Sequence, residues 1–325
     1  MIRDNTGAAG GQSTGCSGQA RLKPSSGGYQ KMSPQSGRGT PHETRARDSA
    51  TARHEESAAP RRLFDAMQAA PTLGVLGGMG PAATAHFMKQ LAASVEATTD
   101  QGHPKTMLLS DPSIPDRTQA ILRGTYEPLA PIKDGLLTLC GWGADLLAVP
   151  CNSAHYFIDL VSDTIPAKII DIVEATLDRA SAENPEGAWL AATDGTVLGR
   201  MYQRRAAMMD YRLILPPDNL QKVIQEAVRA VKGKELETSA TLIAEATRKL
   251  WILEDIAIIQ GCTEIPIAYD MAGLPPCRSV SSVDALASAC INELQAFSSA
   301  SEDLHSRPAI EKRSEPDPQI QEQNL

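Results

Sequence analysis

The chain has 325 residues, 42% of them hydrophobic, and a formal net charge of -8. That apolar content supports a sizeable core, while the acidic balance argues against a nucleic-acid surface, which needs a basic face to neutralise phosphates. No apolar run approaches the roughly eighteen residues of a membrane span and no signal-peptide core follows Met1, so a soluble cytoplasmic protein is expected, organellar targeting by the N-terminal region being left open.

Residues 1–70 are rich in Gly, Ser, Thr, Arg and Pro with almost no apolar periodicity. Such a segment buries too little surface to offset its ordering entropy and reads as a disordered extension. From Pro71 onward short apolar runs alternate with amphipathic ones, the pattern of βαβ units around a parallel sheet. "TLGVLGG" reads as a buried strand and "PAATAHFMKQLAASVEA" as a helix with Pro81 near its first turn, where a missing N–H costs nothing. "KTMLLS" is a second strand, followed by a loop containing "SIPDRT"; then come a helix in "YEPLAPIKDGLLTLCGWG" and a strand in "ADLLAVP" that delivers Cys151. "AKIIDI" and "GAWLAAT" are strands separated by the helix "VEATLDRASA"; "TVLGRMYQRRAAM" reads as one helix and "YRLILP" as a strand. A long helical stretch broken near Gly233 leads to the strand "DIAIIQG", which delivers Cys262, and "SSVDALASACINELQAF" is the last helix. Residues 298–325 are polar, contain proline and read as a disordered tail.

Two consecutive blocks therefore share one plan, each ending in a strand and then a cysteine, and they suggest two similar α/β domains. Ligands of open parallel sheets bind beyond the carboxyl ends of the strands. Both thiols sit at such an edge, so facing edges would place them around one cleft.

The six cysteines show no CxxC pair and no zinc-like spacing, which argues against a metal site. Cys140 and Cys290 fall within helical patterns, Cys277 lies in a loop after "LPP", and Cys16 lies in the extension; packing or surface roles suffice for them. "GVLGGMGPAAT" is a glycine-rich strand-to-helix turn whose N–H groups suit an anion such as a carboxylate, or it is a tight turn with no guest. It lacks the spaced dinucleotide fingerprint and the GK[ST] ending of a phosphate loop. Arg117 offers a planar fork for a carboxylate, or is a solvated cation. In "PCNSAH", Asn152 and Ser153 can donate to an oxyanion; His155 is either a base for Cys151 or a hydrogen-bonded helix residue, and no acidic group completes a triad. "GCTEIP" repeats the logic with Thr263 and adds Glu264, while "LAATDGT" is ordinary turn chemistry.

Taken together and in this order, "LGVLGGMGPAAT", "SIPDRT", "AVPCNSAHYF", "ATDGT" and "GCTEIP" resemble the aspartate/glutamate racemase superfamily, nearest its aspartate racemase and broad-specificity amino-acid racemase branch. The resemblance spans residues 73–297; Ser153 departs from it, since the family usually has threonine there. It implies two flavodoxin-like domains with parallel sheets and a cleft between them, the first formed by residues 71–167 plus 279–297 and the second by 168–278. It also implies a racemase of aspartate or glutamate that needs no pyridoxal, no metal and no other cofactor, acting on a small amino acid, with neither nucleic acid nor membrane as partner, and forming a homodimer. Under that resemblance Cys151 and Cys262 would be the two acid/base groups on opposite faces of the α-carbon. Arg117 would hold the side-chain carboxylate with help from Lys232 in "AVKGK". Asn152, Ser153, Thr196 and Thr263 would cradle the reacting carboxylate, and Met79 would line the pocket or simply pack. A non-catalytic binder of acidic amino acids, a single-cysteine isomerase or decarboxylase, and a cysteine hydrolase using Cys151 and His155 are the alternatives.

Overall fold

The computed structural model describes residues 70–306, and the expectations for residues 1–69 and 307–325 fall outside them. The described chain forms two four-stranded parallel sheets. The first has the order β2-β1-β3-β4, from β1 (Leu73–Gly77), β2 (Thr106–Ser110), β3 (Leu146–Ala148) and β4 (Lys168–Ile170). The second repeats it as β6-β5-β7-β8, from β5 (Ala188–Ala192), β6 (Leu213–Ile214), β7 (Ala257–Gly261) and β8 (Ser279–Ser281). In register, Leu73 lies between Thr106 and Leu146, and Ala188 lies between Leu213 and Ala257. This is the doubly wound order of flavodoxin-like sheets, present twice. The central strands β1, β3, β5 and β7 are buried along their whole length, which is why they read as unbroken apolar runs rather than as alternating ones.

Helices cover both faces. In chain order they are α1 (Pro81–Ala93), α2 (Arg117–Arg123), α3 (Leu129–Gly141), α4 (His155–Ile158), α5 (Ile172–Glu183), α6 (Asp194–Gly199), α7 (Met201–Met208), α8 (Asp218–Lys232), α9 (Leu236–Leu253), α10 (Ile265–Met271) and α11 (Ser282–Ser306). One apolar cluster joins the two halves: Leu73, Val75 and Phe87 of the first, Leu190, Ala192 and Ile259 of the second, and Leu286, Cys290 and Leu294 of α11. α11 packs against both α1 and α5. Separate clusters fill the far faces, around Ile132 and Leu136 on the first sheet and Ile224 and Val228 on the second.

Four features correct the sequence reading. Residues 168–170 pair with β3 and residues 279–281 with β7, so each sheet takes its last strand from beyond the implied domain boundary; without these strands one side of each buried strand would have no backbone partner. The single helix expected over "TVLGRMYQRRAAM" is two, divided at Arg200, whose φ of 56° is left-handed. "SIPDRT" is more than a loop: Asp116 accepts from the Gln119 N–H at 2.8 Å, which caps α2 and places Arg117 at its first position. The last helix continues past Phe297 to Ser306, because no proline or glycine interrupts it before Pro308. That moves the start of the expected tail from residue 298 to residues outside those described.

Candidate active site

At the carboxyl end of β1 the chain turns through Gly78, at φ 92°, where an added Cβ would come within 2.4 Å of the Asp111 backbone. The Gly78 N–H donates to Thr84 Oγ1 at 2.9 Å, which ties the turn to the first coil of α1. This leaves the Met79 carbonyl facing Arg117. The guanidinium donates through Nη2 to Met79 O at 2.9 Å and through Nη1 to Ile114 O and Pro115 O at 3.0 and 2.9 Å. Its Nε is buried with no hydrogen-bond partner. Arg117 is thus a buried cation held by three carbonyls, with two N–H groups left to give, one on Nε and one on Nη2.

Beyond β3, Cys151 is 5% exposed, and its sulfur lies 3.7 Å from Ser153 Oγ. His155 is turned away from that sulfur. Its Nε2 accepts from the Ile172 N–H at 3.4 Å, which makes Nδ1 the protonated nitrogen donating to the Cys151 carbonyl at 3.1 Å. With both ring nitrogens committed to backbone, His155 supports the chain around Cys151 and is not placed as its base. Asn152 is also committed: its Oδ1 accepts from Tyr202 OH at 2.6 Å, and its Nδ2 donates to Ser282 Oγ at 3.0 Å. At most one side-chain N–H remains for a ligand.

Beyond β7, Cys262 is equally buried, and its thiol donates to Glu264 Oε2 at 3.1 Å; Thr263 Oγ1 donates to the same oxygen at 3.4 Å. Glu264 Oε1 lies 3.9 Å from Lys232 Nζ at the end of α8. Burial pushes the Cys262 pKa well above that of an ordinary thiol, the Glu264 charge adds to the rise, and Lys232 opposes it. For Lys232 itself burial works against the ammonium, but Glu264 and then the two thiols outweigh it and hold its pKa above the usual lysine value. Thr193 caps α6 through its hydroxyl, which lies 3.0 Å from that of Thr196.

Met79, Arg117, Cys151, Asn152, Ser153, Thr196, Lys232, Cys262 and Thr263 all line one cavity, so the nine positions nominated from sequence converge on a single space. Asp116, Thr118, Thr193 and Glu264 line it as well. Thr118 is there because α2 meets α6 at Gly195, where an added Cβ would lie 2.7 Å from Thr118 Cα. Thr118 closes the motif "SIPDRT" but was given no role there, and no motif singled out the buried Tyr202; contacts between distant segments reveal both. The cavity is tight, with the centre of a water-sized sphere free to move through only about 10 Å³, roughly the room for one water. A larger space of about 450 Å³ adjoins it and shares Asp116, Arg117, Lys232 and Glu264. Among the described residues no group of three or more His, Cys, Asp or Glu side chains could hold a metal ion, and no helix is long and apolar enough to cross a membrane.

The chain has relatives among known proteins. It is 24% identical over 209 residues to the broad specificity amino-acid racemase RacX of Bacillus subtilis, covering 61% of this chain and 87% of that protein. The fold matches that of the Picrophilus torridus aspartate racemase with a TM-score of 0.60 at 24% identity, covering 69% of this chain and 94% of the other. A putative Asp/Glu racemase from Yersinia pestis matches with a TM-score of 0.57 at 21% identity, covering 69% and 99%. The family model described as Asp/Glu/Hydantoin racemase matches residues 76–290. By that match, the chain belongs to the Asp/Glu/hydantoin racemase family.

Proposed function

We propose that the protein interconverts the L and D forms of an acidic amino acid, aspartate or glutamate, by proton transfer between two thiols without a cofactor. The observation that carries this reading is the placement of Cys151 and Cys262 at equivalent strand ends of two like sheets, lining one cavity. Inverting an α-carbon means removing a proton from one face and supplying one to the other, so two acid/base groups must flank it. A thiolate breaks the α C–H bond and becomes a thiol; the electron pair passes into the substrate carboxylate as it gains enolate character; the opposite thiol then gives its proton to carbon and becomes the thiolate.

Ionising a free thiol at pH 7 costs about 2 kcal/mol, so generating the base is the smaller part of the barrier. Stabilising the enolate is the larger part and falls to preorganised donors. Ser153 and Thr196 are suited to it, whereas the Asn152 side chain and the Thr263 hydroxyl, which already donates to Glu264, contribute mainly by holding their own segments in place. Glu264 disfavours a thiolate on Cys262, and Cys151 has a hydroxyl, not a carboxylate, beside it. Cys262 is therefore the thiol placed to rest protonated and donate, and Cys151 takes the role of base. Arg117 and Lys232 supply the cations for a second carboxylate, in keeping with the named activity of the P. torridus neighbour; the broad specificity named for the B. subtilis relative makes neutral amino acids a necessary part of any substrate screen. A cysteine hydrolase is disfavoured by the orientation of His155.

The test is incubation with L-aspartate, L-glutamate and neutral amino acids in deuterium oxide, with the enantiomers separated and their α-deuterium measured. The D product should carry deuterium at the α-carbon, and Cys151→Ser and Cys262→Ser should each abolish inversion. Inversion that survives either replacement would overturn the two-thiol reading, and calorimetric binding without exchange would show a binder.

A further inference from the structure

Tyr202 is fully buried in α7 and meets the neighbours of both thiols. Its hydroxyl donates to Asn152 Oδ1 at 2.6 Å, one residue from Cys151. Its ring lies against Gly261, one residue from Cys262, so closely that a Cβ there would be 3.3 Å from Tyr202 Cε2. A second connection runs parallel to the first. Asn152 Nδ2 donates to Ser282 Oγ at 3.0 Å, and Ser282 follows Ser281, the register partner of Gln260 in β7. Asn152 is thus braced twice against the end of the strand that carries the other thiol. Both braces are dry: Asn152 is 2% exposed, and Tyr202 and Ser282 are 0% exposed.

We propose that Tyr202 is a positioning residue which, with Asn152 and Ser282, fixes the separation and facing of the two catalytic thiols. The proposal rests on the two-thiol reading above and adds to it the element that keeps the reacting groups in step. Transfer through a short-lived carbanion requires the second thiol to be in place when the first has taken its proton. A displaced second thiol lets the first return a hydrogen to the face it came from, so exchange without inversion gains on inversion.

Tyr202→Phe keeps the ring on Gly261 and removes the hydroxyl that donates to Asn152; Ser282→Ala removes the other brace. With the full chain and L-aspartate in deuterium oxide, α-deuterium is measured in both the residual L substrate and the D product. In Tyr202→Phe we expect inversion to fall by about tenfold or more, and the ratio of deuterium in recovered L-aspartate to that in D-aspartate to rise several-fold. Ser282→Ala should move both quantities in the same direction by less. A role confined to stability would lower exchange and inversion together and leave the ratio unchanged, and that result overturns the proposal. So does a Tyr202→Phe enzyme with wild-type rate and ratio. If Tyr202→Phe does not fold, Ser282→Ala decides, and an unchanged ratio there is equally fatal. A wild-type protein that neither inverts nor exchanges any amino acid tested would instead remove the racemase reading, and this proposal with it.

Discussion

The Cys262 thiol donates to Glu264 Oε2 at 3.1 Å, and the other oxygen of that carboxylate stands 3.9 Å from the Lys232 ammonium. The two candidate thiols are therefore unlike: one shares its proton with a buried carboxylate, the other lies beside a serine hydroxyl. The first prediction follows from this difference. Replacing Glu264 by Gln removes the negative charge that helps raise the Cys262 pKa, so that pKa falls. If Cys262 must be protonated to donate, activity is lost as pH rises through its pKa. The alkaline limb of the pH profile should therefore move to lower pH in Glu264→Gln, with kcat reduced.

The same raised pKa bears on stability. A thiol whose folded pKa lies above its unfolded value contributes stability in full below the unfolded pKa, about 8.5, and that contribution is lost as pH rises toward the folded one. Burial of Cys290 acts in the same sense, raising its pKa. Thermal unfolding midpoints should therefore decline above roughly pH 8.5, and more shallowly in Cys290→Ala once its lower starting stability is allowed for, which a pH series by calorimetry would measure.

Arg117 is held by three carbonyls through both terminal nitrogens. A lysine ammonium cannot reproduce that planar set. Arg117→Lys should lower kcat/KM for aspartate by about a hundredfold, since hydrogen bonds to a charged group are worth roughly 1.5–3 kcal/mol each. A loss confined to acidic amino acids, with neutral ones spared, would show that the guanidinium reads the side-chain carboxylate.

Gly195 lets α6 approach α2 closely enough to enclose the cavity. Gly195→Ala would put a methyl group 2.7 Å from Thr118 Cα and force the helices apart. Steady-state assays beside thermal unfolding should find kcat/KM reduced by about a hundredfold, with an accompanying stability loss of roughly 1–3 kcal/mol, the cost typical of overpacking.

His155 gives a sharper separation of readings. As a support for the Cys151 backbone it should tolerate His155→Gln with inversion retained to within about tenfold, because glutamine also offers one donor and one acceptor. As the base that activates Cys151 it would not tolerate the change, and the loss would approach that of Cys151→Ser.

Much of the fold was legible because fully buried strands appear as apolar runs and the helices between them carry a separate period. The strands at Leu213–Ile214 and Ser279–Ser281 are only two and three residues long, and the second was hidden within a segment read as loop and helix start. The break at Arg200 was invisible because an arginine in the left-handed region carries no compositional mark, unlike a glycine. In the site, Cys151, Cys262 and their neighbours were legible because each sits in a short motif at a strand end. The commitments of Asn152 and His155 were not, since their partners Tyr202, Ser282 and Ile172 lie 50, 130 and 17 residues away. Spacing within a motif cannot report such pairings.

The space that both thiols line has room for about one water, less than the proposed substrate needs. Leu73, Ile259 and α11 belong to one shared apolar mass, which ties the two sheets together there. For the proposed racemisation the cavity has to widen to admit its substrate, and the contact of Gly195 with Thr118 is a place where α6 and α2 would have to separate.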